Sequence, residues 1–71
     1  MWTKGANNEF KWAVKHYDEP SIFGINNGRI SKLSIQKISN NEVMANYDRG
    51  WDVEPSEEIK FLYDKLINEY N

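Results

Sequence analysis

The C-terminal run EPSEEIKFLYDKLINEYN constrains this chain more than any other stretch. Ile59, Leu62, Tyr63, Leu66, Ile67 and Tyr70 recur at the i, i+3, i+4, i+7, i+8, i+11 spacing of one helical face. Pro55 suits a first-turn position, Ser56 can cap, and Glu57 and Glu58 complement the positive end of the helix dipole. A single apolar helical face must lie against a second layer, and the residues upstream supply one with a different period.

Three segments alternate with the period of a half-buried strand. In EFKWAVKHY, Phe10, Trp12 and Val14 alternate with Lys11, Ala13 and Lys15. In KLSIQKI, Leu33 and Ile35 alternate with Lys32, Ser34 and Gln36. In EVMANYDRGW, Val43, Ala45 and Tyr47 alternate with Met44, Asn46 and Asp48. The turn formers Ser39 to Glu42 join the last two as an antiparallel hairpin. Between the first two lies DEPSIFGINNGRISK, where Pro20, Gly24 and the type I′ dipeptide Asn27-Gly28 predict a structured connection. The expected fold is α+β, a three-stranded antiparallel sheet under one C-terminal helix (β-β-β-α). Residues 9–71 form that domain, and MWTKGANN, residues 1–8, is a flexible N-terminal arm in which Trp2 has no structural explanation.

At 71 residues there is room for one small core, in a chain that buries about 60% of its unfolded surface. The 14% of aromatic residues compensate with large buried areas per side chain. There is no cysteine, so disulfides, thiolate metal sites and cysteine nucleophiles are excluded. No apolar run matches a signal-peptide core or a membrane span, and the expected location is cytoplasmic. The net charge of −2 is uneven. Residues 1–40 carry six cations against three acids, whereas residues 41–71 carry three against eight. A partner would meet a basic first half and an acidic second half.

No catalytic signature is present. His16 is the only histidine, with Asp18 and Glu19 nearby but no third ligand in view. Ser21, Ser31, Ser34, Ser39 and Ser56 have turn, strand or cap explanations, and the four glycines are too scattered for a phosphate loop. Neither an enzyme nor a metal or cofactor site is expected. Two binding readings remain. For protein binding, the hot-spot residue types are Trp2, Tyr17, Arg29, Arg49, Trp51 and Tyr70. For nucleic-acid binding, Lys11, Lys15, Lys32 and Gln36 share the predicted open face of the sheet with Arg29 at the hairpin tip. Asp48, the acidic helix and the net charge weigh against it. Unpaired edge strands also leave a homodimer open.

The motifs Glu19-Pro20-Ser21, Gly24-Ile25, Gly28-Arg29-Ile30-Ser31-Lys32-Leu33 and Tyr47-Asp48-Arg49-Gly50-Trp51-Asp52 resemble a family of small uncharacterised proteins of bacterial genomes and their phages. That resemblance implies no activity and carries no functional residue. It implies a setting in which small phage or mobile-element accessory proteins bind a host macromolecule, including components of antiviral defence. The leading expectation is accordingly a non-catalytic accessory protein that binds a host protein around Arg29, Arg49 and the exposed aromatics. Nucleic-acid binding is the alternative. Within NYDRGWDVEP, Gly50 is expected at φ > 0 or in a bulge, Trp51 folds back as a lid and Pro55 opens the helix. Arg49 is expected to pair with a carboxylate of Asp18 or Glu19.

Overall fold

The computed structural model describes residues 1–71. The chain forms β1 (Trp2–Ala6), β2 (Phe10–His16), β3 (Ile30–Lys37), β4 (Val43–Asp48) and β5 (Trp51–Val53), then a 3₁₀ turn over Glu57–Ile59 that runs into α1 (Lys60–Tyr70). The strands make one five-stranded sheet in the order β1-β2-β3-β4-β5, with every pair antiparallel. The fold is α+β, but the expected three-stranded sheet is corrected to five strands. Both extra strands are edges that contribute few apolar residues inward. In β1 the inward positions are Thr3 and Gly5, opposite Val14 and Trp12, so residues read as an arm show no hydrophobic alternation. The three-residue β5 pairs through Trp51 and Val53 only, too short a run for a period.

The core lies between one sheet face and the helix. Val14 faces Leu33 and Leu33 faces Tyr47, while Trp12 faces Ile35 and Ile35 faces Ala45. Ile59, Leu62 and Leu66 close over these two rows. Trp12 stretches across β1, where a Cβ on Gly5 would come 2.6 Å from its indole nitrogen. Glycine in that strand makes the space for the ring. A register shift at Ile35/Gln36 turns Met44 inward and leaves Val43 outside, reversing the alternation expected at those two positions.

The helix begins later than Pro55 and Ser56 suggest. Ser56 is extended at φ −77 and ψ 162 with no side-chain cap, and its buried Oγ has no partner. Ile59 sits at the break between the 3₁₀ turn and α1, fully inside the core. The demand to bury it there sets where the helix starts. Lys37 Nζ meets Glu58 Oε2 at 3.2 Å, tying the end of β3 to this turn.

The connection from β2 to β3 is compact. Asn26 and Asn27 take left-handed φ of 52 and 58, and the Gly28 N–H donates to the Ile25 carbonyl at 2.9 Å. This is the type I′ geometry expected of Asn27-Gly28, centred one residue earlier. Gly24 packs against the Gly28 carbonyl, with no room for a Cβ. From the end of α1 the Asn71 side chain reaches into the loop. Its Nδ2 donates to the Ile25 carbonyl at 3.0 Å and its Oδ1 accepts from the Ile30 N–H at 2.9 Å. Tyr47, buried in the core, donates its hydroxyl to the Phe23 carbonyl at 2.7 Å. Tyr47→Phe should cost about 1 kcal/mol, since it leaves that carbonyl without its partner while keeping the ring. Urea denaturation of both proteins would show it, and an unchanged midpoint would mean that water replaces the hydroxyl.

Candidate binding surface on the open face of the sheet

The sheet face turned away from α1 is uncovered, and the strand register tiles it in three rows. Trp2, Lys15, Lys32 and Asp48 face one another across β1 to β4 in the first row. Lys4, Ala13, Ser34 and Asn46 form the second, and Ala6, Lys11, Gln36 and Val43 the third. The second row has short side chains at its centre, so Ala13 and Ser34 floor a shallow trough. Lys15 and Lys32 form one bank, Lys11 and Gln36 the other. A notch of about 170 Å³ lies over Ser34 and Asn46, bounded by Trp2, Lys32 and Asp48.

At the Lys15 and Lys32 end the face continues into a cleft of about 430 Å³ between Tyr17, Phe23, Lys32 and Arg49, with Glu19 on its rim. Trp2, Tyr17 and Phe23 are each about half exposed, at 50, 48 and 57%. The Lys15 ammonium stands 5.7 Å from the Tyr17 ring centroid. Lys15 is the main reason the Tyr17 phenol is held below the ordinary tyrosine range, with Ser31 and Lys32 adding to the effect.

Lys15 and Lys32 are directly cross-strand neighbours, an arrangement that destabilises a sheet through like-charge repulsion. Relief is partial. Asp48 Oδ1 lies 3.8 Å from Lys32 Nζ and 3.9 Å from Arg49 Nε, so one exposed carboxylate serves two cations. Farther along, Lys11 Nζ donates to Asn41 Oδ1 at 3.2 Å and Asn46 Nδ2 donates to Asp52 Oδ2 at 3.2 Å.

The residues singled out in the sequence divide sharply. Trp2, Tyr17, Arg49, Lys15 and Lys32 converge on one end of the open face, and Lys11 and Gln36 extend it. Arg29 and Trp51 lie elsewhere. Arg29 Nε donates to the Asn71 backbone carbonyl at 3.4 Å, and Trp51 packs edge-on between Tyr47 and Tyr63 at 4.9 and 5.7 Å. Tyr70 stacks on His16 at 4.8 Å, while His16 Nε2 shares a 2.9 Å hydrogen bond with the Thr3 hydroxyl. No ion pair joins His16 to Asp18 or Glu19, and none joins either acid to Arg49. The sequence reading missed Lys4 and Phe23. Lys4 becomes legible once Trp2, Lys4 and Ala6 are read as the outward set of a strand.

Arg49 itself corrects two expectations. It, and not Gly50, takes the left-handed conformation at the β4–β5 turn, with φ 58, and its only close carboxylate is the neighbouring Asp48. A non-glycine residue pays about 1 kcal/mol or more in that region. Arg49→Gly is therefore expected to hold or raise the melting temperature, the relief of strain being offset in part by greater unfolded-chain freedom. A clear fall in thermal melts would show that the side chain contributes to the fold.

Over residues 1–71 the chain matches the family described as Domain of unknown function (DUF7678), and it belongs to that family. No curated protein and no solved structure matches it. Membership agrees with the resemblance read from the motifs at the level of an uncharacterised family. No helix is long and apolar enough to cross a membrane.

Proposed function

We propose that this member of the DUF7678 family is a non-catalytic binding module that holds an extended anionic macromolecule against the open face of its sheet. The observation that carries the reading is the half-buried Lys15–Lys32 pair in the end row of that face. A like-charge contact of this kind costs stability in the free protein. It becomes favourable when a polyanion lies over it, because each ammonium then gains a counter-charge and bound counterions are released. Lys4, Lys11 and Arg49 extend the same potential.

The expected role of Arg29 and Trp51 in partner contact is not part of this proposal, since both lie away from this face, Arg29 beside Asn71 and Trp51 between Tyr47 and Tyr63. An accessory role against a host macromolecule is compatible with it, and the lysines of the face support a partner of negative charge. Amide chemical-shift mapping with heparin as a generic polyanion tests the reading. Shifts should concentrate at Trp2, Lys15, Tyr17, Lys32 and Arg49 and leave Phe61, Asp64 and Glu69 of α1 unmoved. No shifts, or shifts centred on the helix, would overturn it.

A further inference from the structure

We infer that the anion is single-stranded nucleic acid, with bases stacked on Trp2 and Tyr17 and phosphates held by Lys15, Lys32 and Arg49. This rests on the polyanion reading above and goes beyond it to name the partner. Lysines alone would serve any polyanion, including an acidic peptide. The aromatics discriminate. In a protein that needs its rings for a small core, Trp2, Tyr17 and Phe23 remain about half exposed, and all three flank the cationic row. Trp2 stands directly beside Lys15 in the register, and the Lys15 ammonium lies over the Tyr17 ring. Rings interleaved with cations on an open surface are what unpaired bases need, because each base offers a flat face to an aromatic while its phosphate meets a cation.

The exposed rings favour a single strand over a duplex. Bases inside a double helix are already stacked on one another, so the exposed faces of Trp2 and Tyr17 would meet only backbone. A single strand laid along the row from Trp2 towards Arg49 places unstacked bases on those rings. The notch over Ser34 and Asn46 supplies a hydroxyl and an amide to base edges that point into the trough, which gives modest base preference without a fixed code.

The test is fluorescence anisotropy with a fluorescein-labelled oligo(dT) and the matching oligo(U), each about 12 nucleotides long, within the range of site sizes of single small domains that bind single strands. A duplex of the same length, heparin and an oligoglutamate peptide serve as competitors. The single strands should bind with a log–log salt slope of about −2, as three phosphate contacts imply, and Lys15→Ala should reduce its magnitude by about 0.7. Trp2→Ala should weaken binding by about fivefold or more, and Trp2→Phe should restore most of it. Phe61→Ala, on the far side of the molecule, should change nothing.

Circular dichroism on each variant separates lost binding from lost fold. If Trp2→Ala unfolds the protein, the Tyr17→Ala and Tyr17→Phe pair carries the same comparison. Heparin and oligonucleotide bound alike, with no response to either aromatic change, would overturn the single-strand inference while leaving the polyanion reading intact. Preference for the duplex or for oligoglutamate would also overturn it. No binding of any anion would overturn both.

Discussion

Gly24→Ala is expected to lower stability by about 3 kcal/mol, at the upper end of what an added methyl costs in a packed site. The added Cβ would lie inside contact distance of the Gly28 carbonyl and 3.2 Å from the carbonyl of Ile30. Backbone cannot swing aside as the end of a long side chain can. The Gly28 carbonyl is also committed, accepting from the Ser21 N–H at 2.9 Å, so moving it loses a hydrogen bond as well. A domain of this length has on the order of 4–10 kcal/mol in total, and the melting temperature should fall by about 15 °C. Gly50→Ala is the matched control, because a Cβ there meets nothing within 4 Å and φ is not positive. Thermal melts in which the two substitutions behave alike would show that the β2–β3 loop relaxes around the methyl.

Asn71→Ala should cost about 2–3 kcal/mol, because it leaves the Ile25 carbonyl and the Ile30 N–H unpaired at the margin of the core. Only an amide supplies a donor and an acceptor to these two groups at once. Asn71→Asp keeps the acceptor for Ile30 but turns a second oxygen towards the Ile25 carbonyl, and should recover little. The Asn71 amide also occupies the space that a Cβ on Gly28 would need. Gly28→Ala is therefore expected to be much less damaging in the Asn71→Ala background than in the natural sequence, a coupling that a double-mutant cycle measures directly. Additive losses would mean that the amide and the glycine act independently.

The helix and the three inner strands are readable in the sequence because each buries several residues on one face and so writes its period into the chain. Edge elements escape that logic. The inward residues of β1 are Thr3 and Gly5, and the glycine is there because a tryptophan from the next strand covers it. Without the partner strand, WTKGA carries no sign of this. The same limit applies to the candidate surface. Lys15 and Lys32 can be assigned to one face from alternation, but their direct opposition depends on register, set by bulges such as those at Lys15/His16 and Ile35/Gln36. Trp2 is anomalous in the sequence for a reason visible only once β1 is in place, where it ends the cationic row. The Asn71 contacts, made to residues 41 and 46 positions away, have no local signal at all.

Each strand of the meander pairs with its neighbour in sequence, so the sheet can zip together hairpin by hairpin at low entropic cost per step. The Asn71 amide instead closes most of the chain into a single long circuit, and it gains nothing until α1 has docked and the β2–β3 loop has formed. Its energy therefore belongs after the folding barrier. In stopped-flow chevrons Asn71→Ala should steepen the rate of escape from the native state by more than tenfold for a loss of about 2 kcal/mol, while refolding keeps nearly the natural rate. One side chain at the end of the helix thus governs how long the molecule stays folded and has little influence on how quickly it gets there.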